Sequence, residues 1–138
     1  MRPIKFRAWD KEGEVMCDVD VIGFSEGAVT ISNKNVKYYH LGINEIELMQ
    51  STGLKDKNGV EIYEGDIVKR TYLFNGGCGE THTGEVVYDK EYARYVISRP
   101  QKYIEPKTED LRNTLSDRST YEVIGNIYEN PELLEEEE

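Results

Sequence analysis

Hydrophobic and polar positions alternate with a period of two along most of this chain, the spacing of strands that bury one face. In the first segment Ile4, Phe6 and Ala8 take one side and Lys5, Arg7 and Trp9 the other. Asp10-Lys11-Glu12-Gly13 then reads as a turn, with Gly13 free to take a positive φ. Val15, Cys17, Val19 and Val21 alternate against Met16, Asp18, Asp20 and Ile22, which predicts a second half-buried strand. Turn residues at 25–27 and 33–35 bracket a short strand over 28–32, and 36–41 supplies the next. Connections this short favour an antiparallel meander, because parallel neighbours need long crossovers.

The second half continues in the same style. Positions 47–51 form a short strand or loop that enters Thr52-Gly53. Lys55-Asp56-Lys57-Asn58-Gly59 is the strongest turn signal in the chain, since Asn-Gly accepts the positive φ values of hairpin turns. Strands follow at 60–63 and from 65 toward 74, then a flexible glycine-rich turn at 75–79. Positions 83–88 and 92–98 predict a hairpin closed at 89–91. Segment 99–120 breaks the alternation with Pro100, Pro106 and many charges. Thr108 is placed to cap a short helix running to Asp117, with Leu111 and Leu115 on one face. A strand returns at 121–128, and Asn130-Pro131 opens a final short helix with Asn at the N-cap and Pro in the first turn. The fold expected is mainly β. It has an N-terminal antiparallel meander over 1–50 and an SH3-type small barrel over 51–138, which carries the insertion 99–120 and an acidic C-terminal tail. Glycines near its opening strands would allow the sharp bends that close a short sheet.

Composition adds a setting. With 138 residues, 38% hydrophobic and 32% charged, the chain matches one ordinary domain or two small lobes. Neither a membrane-length apolar run nor a signal-type N-terminus is present, so a cytoplasmic location is expected. Two distant cysteines, Cys17 and Cys78, are expected to be reduced. The net charge is −10, but six of the 27 acidic residues lie in the last ten positions, leaving 21 against 17 basic ones, or −4, elsewhere. Such a balance argues against broad nucleic-acid affinity, which draws on phosphate neutralisation by Lys and Arg.

The chemistry candidates are few. Cys78 and His82 stand four apart in a glycine-rich segment with Glu80, and only chance folding would bring Cys17 and His40 to them, whereas structural zinc takes four ligands. A Cys78 nucleophile with His82 as base would want nearby positive charge, and Glu80 supplies the opposite. Carboxylates around Asp56 and Glu61 lack calcium-loop spacing, with Lys57 between them. No phosphate loop, dinucleotide loop, zinc-protease or serine-elbow motif occurs. The reading is therefore no enzyme, no catalytic, cofactor-binding or metal residues, and no cofactor. Ten of the fourteen aromatics are tyrosine. Tyrosine suits interfaces, and it equally suits a shallow β-core that leaves ring tips at the surface; both readings stay open. Lys69, Arg70, Arg94, Arg99 and Lys102 could form a basic strip.

Three segments resemble the YopX family: Ile4-Lys5-Phe6-Arg7-Ala8-Trp9-Asp10; the block from Leu48 through Thr52-Gly53-Leu54-Lys55-Asp56-Lys57-Asn58-Gly59 to Glu61-Ile62-Tyr63-Glu64-Gly65-Asp66-Ile67-Val68; and Glu122-Val123-Ile124-Gly125-Asn126-Ile127-Tyr128-Glu129-Asn130-Pro131-Glu132-Leu133-Leu134. The resemblance implies a phage or prophage setting, an SH3-type barrel in the C-terminal part and self-assembly, with no catalytic residues to carry over. The function expected is a non-catalytic, oligomeric accessory protein that contacts its own copies or another phage or host protein, away from membranes. The alternative is a nucleic-acid-associated small-barrel protein in phage DNA metabolism or regulation.

Overall fold

In a computed structural model, residues 4–74, 77–99, 107–110 and 119–135 are described. They form two compact units, 1–51 and 52–138. The strands are β1 (Phe6–Asp10), β2 (Val15–Gly23), β3 (Ala28–Ser32), β4 (Tyr39–Gly42), β5 (Ile46–Lys55), β6 (Glu61–Tyr63), β7 (Asp66–Phe74), β8 (Gly77–Asp89), β9 (Arg94–Arg99), β10 (Lys107–Asp110) and β11 (Ser119–Asn126). Single 3₁₀ turns cover Ile43–Glu45 and Pro131–Leu134. The chain is mainly β, as the period-two pattern predicts, and its strands make two antiparallel sheets.

The first sheet runs β4-β3-β2-β1-β5-β6. Hairpins of neighbouring strands build its first four members, the meander expected from the short connections. In the first unit Ala8, Cys17, Val29, Ile31 and Ile46 are buried together, with Val15, Val19, Ile22, Tyr39, Leu41 and Leu48 packed on them. Strict alternation fails once. Val19 pairs with Ile31 and Val21 with Thr30, so Asp20 is an extra residue on β2. That bulge flips the later side chains: Val21 is 58% exposed, and Ile22 turns in to join the core.

The second sheet runs β10-β9-β8-β7-β11. Its core gathers Ile62, Val68, Val86, Ile97 and Tyr121, with Leu54, Tyr95 and Val123 against them. The expected SH3-type barrel is not closed among the described residues. β10 and β11 sit at opposite edges of an open sheet, because β11 returns to the outer side of β7 rather than to β10. Two further expectations are corrected. Gly77–Gly79, expected within the flexible turn 75–79, is already strand, with Gly77 opposite Phe74 and Cys78 opposite Leu73. The helix expected from Thr108 does not begin there, because Lys107–Asp110 pairs with Arg99–Val96 and the ladder satisfies its backbone. Leu111, Leu115 and Asp117 lie outside the described residues.

The turns also differ in detail. At the first hairpin the left-handed residue is Glu14, with φ 52°, and not Gly13. What selects glycine at 13 is space, since a Cβ there would lie 2.8 Å from Asp10 Oδ2. At 56–59 only Gly59 is left-handed, φ 81°, and its N–H donates to Asp56 O at 3.0 Å. This arrangement is a type I turn followed by a left-handed glycine, a common longer hairpin connection. The last helix is reduced to one 3₁₀ turn, and Asn130 does not cap it. Its Oδ1 turns back instead and accepts the N–H of Asn126 at 3.3 Å. Among the described residues, no helix is long and apolar enough to cross a membrane.

Candidate functional site

Among the described residues, a connected polar cluster lies in the first unit. Four positions far apart in sequence meet there: Asp10 at the end of β1, Cys17 on β2, Asn33 after β3 and Tyr39 at the start of β4. Tyr38 is left-handed at φ 53°, an unusual conformation for a bulky residue. Its own ring points to solvent, 67% exposed, while Tyr39 turns inward. The Tyr39 hydroxyl donates to Asp10 Oδ2 at 3.0 Å, and Asn33 Nδ2 donates to that hydroxyl at 3.2 Å. Cys17 Sγ lies 3.1 Å from the same oxygen. A shallow cavity of about 300 Å³ adjoins, lined by Asp10, Gly13, Val15, Asn33, Asn35, Val36 and Tyr39.

Burial first, then hydrogen bonding to Cys17 and Asp10, raises the Tyr39 phenol well above its usual range. It therefore remains a proton donor at ordinary pH. Asp10 Oδ1 already accepts the N–H groups of Glu12 and Gly13, each at 3.1 Å. Asn33 Oδ1 accepts those of Asn35 at 2.8 Å and Val36 at 3.0 Å. The donors and acceptors face one another, and the cluster holds β1, β2 and β4 together at the mouth of the cavity. A nucleophilic thiolate is ordinarily assisted by adjacent positive charge. The groups bonded to this sulfur bring none.

In the second unit the polar residues of the shared segments act in the same way. Asp56 is 8% exposed and accepts three backbone N–H groups: Asn58 at 2.8 Å, Val60 at 2.9 Å and, from distant β11, Val123 at 2.9 Å. Burial raises its pKa, but these three bonds and the Lys57 charge prevail and hold the carboxyl below the ordinary range. Asp66 Oδ2 accepts the Tyr63 N–H at 2.7 Å. Asn126 Oδ1 accepts those of Tyr128 and Glu129 at 3.0 and 2.9 Å. Gly125 faces the Asn130 side chain so closely that a Cβ would lie 2.5 Å from its Oδ1. Asp56 thus ties its turn to β11, and the Ile127 N–H donates to Gly65 O at 2.9 Å, while Asp66 and Asn126 brace their own turns.

The residues considered for chemistry are dispersed. Cys17 is a free, buried thiol, while His40 sits exposed on the opposite face of the same sheet, its Nδ1 2.9 Å from Thr30 Oγ1. His82 is half-buried on β8 across from Arg70, and the side chains of Cys78 and Glu80 lie outside the described residues. Among the described residues, no group of three or more His, Cys, Asp or Glu side chains could hold a metal ion. The basic strip is divided as well. Arg70 is 8% exposed with its guanidinium over the Tyr121 ring at 5.0 Å, whereas its neighbour Lys69 is exposed. Arg94 lies 3.3 Å from Asp89 and stacks on Tyr92. The Arg99 side chain and Lys102 lie outside the described residues.

Sequence reasoning missed the Asp10–Cys17–Asn33–Tyr39 cluster. It placed Asp10 and Asn33 in turns and left Tyr39, with the other tyrosines, open between interface and core, and no local spacing connects them. The tyrosines are divided: Tyr121 is buried, Tyr88 and Tyr95 pack edge-to-face at 5.3 Å, and Tyr38 and Tyr92 stand in solvent.

Comparison with known proteins places this architecture. The family model described as YopX protein matches residues 5–135. The crystal structure of protein EF1440 from Enterococcus faecalis is similar, with TM-score 0.62 and 29% identity over 97% of this chain and 99% of that one. The crystal structure of protein yopX from Bacillus subtilis shares the fold, with TM-score 0.58 and 23% identity over 97% and 99% of the two chains. No curated protein matches the chain.

Proposed function

Because the chain belongs to the YopX protein family, we propose that it is a phage- or prophage-encoded accessory protein, acting in the host cytoplasm as a non-catalytic homo-oligomer through protein–protein contacts. One observation carries this reading. Exposed apolar side chains gather at both ends of a sheet edge, with Val36 at 46% and Tyr38 at 67% before β4 and Ile43 at 40% after it. Isolated exposed hydrophobics are ordinary on any surface. A set of them flanking an edge strand is the composition of a contact surface. Among the described residues, the polar groups of the Asp10–Cys17–Asn33–Tyr39 cluster and Asp56 are meanwhile bonded to backbone and to each other. Light scattering tests the assembly, and capture from lysogenic or infected cells tests for outside partners. A strict monomer that captures nothing would refute the proposal.

A further inference from the structure

Asp10 stands on β1 and Tyr39 on β4, with β2 and β3 between them in the sheet. A flat sheet would hold those two strands about 14 Å apart. Their side chains nevertheless bond at 3.0 Å, so the sheet curls over its buried face and opens a mouth at this end. The cavity of about 300 Å³ occupies that mouth. Mouths of this kind in curled and closed sheets are common ligand sites.

Within the Asp10–Cys17–Asn33–Tyr39 cluster one acceptor is left over. The Tyr39 hydroxyl donates to Asp10 Oδ2, and its lone pairs face Asn33 Nδ2 and Cys17 Sγ. Asn33 Oδ1 accepts two backbone N–H groups, and Asp10 Oδ1 accepts two more. Asp10 Oδ2 accepts the Tyr39 hydroxyl alone, whereas a carboxylate oxygen carries a second lone pair. Asp10 is 7% exposed, and among the described residues no Lys, Arg or His forms an ion pair with it. Buried charges are ordinarily paired. Space is kept open beside the same oxygen. A Cβ on Gly13 would lie 2.8 Å from Asp10 Oδ2 and 3.5 Å from Val15 Cγ1, and all three residues line the cavity.

We propose that this cavity binds a small primary ammonium compound, its N–H donating to Asp10 Oδ2 and its short apolar stem lying along Val15 and Val36. The ligand supplies both things the site lacks, a positive charge and a donor, and the two valines supply the apolar wall. A calcium or magnesium ion is a poorer match, since each takes about six or more oxygen ligands and the cluster offers one lone pair. An anion would meet the carboxylate. A neutral alcohol would leave the charge unpaired.

Backbone amide NMR shifts at Gly13, Val15, Asn35 and Val36 test the site, with n-butylammonium, n-butanol and tetramethylammonium titrated at constant ionic strength. n-Butylammonium is expected to bind saturably with a Kd on the order of 1 mM, and n-butanol about tenfold more weakly. Tetramethylammonium has the charge but no N–H, and is also expected to bind about tenfold more weakly. Asp10→Asn turns an amide donor toward the mouth and should abolish the n-butylammonium shifts. Gly13→Ala keeps the carboxylate but sets a methyl against Oδ2, and should abolish them too. Glu12→Gln removes an exposed charge from the same turn and should leave them unchanged. Circular dichroism confirms that each variant is folded, and the three wild-type titrations decide the matter for any that is not. No saturable shift with n-butylammonium, equal binding of n-butanol or tetramethylammonium, or full binding by folded Asp10→Asn or Gly13→Ala would overturn the proposal.

Discussion

Asp56→Asn isolates one hydrogen bond on which the second unit depends. The amide oxygen of the variant can keep the two turn bonds, from Asn58 and Val60. Its Nδ2 then faces the Val123 N–H, donor against donor, where the wild-type carboxylate accepts at 2.9 Å across 67 residues of chain. A hydrogen bond to a charged acceptor contributes roughly 1.5–3 kcal/mol, and an unmet donor adds its own desolvation cost. The loss expected is about 2 kcal/mol, roughly 30-fold in the folding equilibrium and about 10 °C in melting temperature for a unit of this size. Urea unfolding at neutral pH measures it. The pH dependence provides a second arm. Because the folded-state pKa lies below the unfolded value, the stabilisation is present above about pH 3.9 and is lost as pH falls through the folded value. The wild-type and Asp56→Asn stabilities should therefore converge in acid. A neutral-pH difference below about 0.5 kcal/mol, or parallel curves down to low pH, would refute the assignment of Asp56 as the tie to β11.

Three other expectations follow from the geometry. Tyr39→Phe removes the hydroxyl at the centre of the Asp10–Cys17–Asn33 cluster and should cost about 1–3 kcal/mol in urea unfolding, with the fold retained. Gly125→Ala forces a methyl onto the Asn130 side chain and should cost about 1–3 kcal/mol; the double variant with Asn130→Ala should cost less than the sum of the two, because the clash is gone. Burial raises the Glu85 carboxyl pKa, so the wild type loses stability as pH rises through the folded value. Glu85→Gln should accordingly melt higher than wild type near neutral pH, and the gain should vanish once Glu85 is protonated in acid.

Local chemistry was legible wherever a few neighbouring residues decide the outcome. Alternation at 28–32, with Val29 and Ile31 inward, became β3, with those two among the most buried side chains. The Asp-Lys-Asn-Gly turn falls where its residues place it, and the hairpin expected to close at 89–91 turns at 90–93, with Ala93 left-handed at φ 52°. Local pattern failed where a distant partner outbid it. Thr108 has the residue type of a helix cap, but its segment finds a ladder on β9. Asn130 has the type and position of a cap, yet its oxygen satisfies Asn126. On β2, Asp20 is inserted because β3 sets the register, and no feature within β2 announces it.

The sequence by itself determined the β character, most of the turns and the kinship, because side-chain alternation and turn residues act over a few positions and three motifs span the chain in order. Only the tertiary structure decided what the motifs do. Asp10, Asp56 and Asn126 all accept backbone N–H groups of their own turns, and Asp56 also accepts that of Val123, 67 residues away. Among the described residues it also decided that the second sheet stays open and that β4 ends the first. Edges, registers and convergent polar groups are set by pairings between segments tens of residues apart, which leave no local trace.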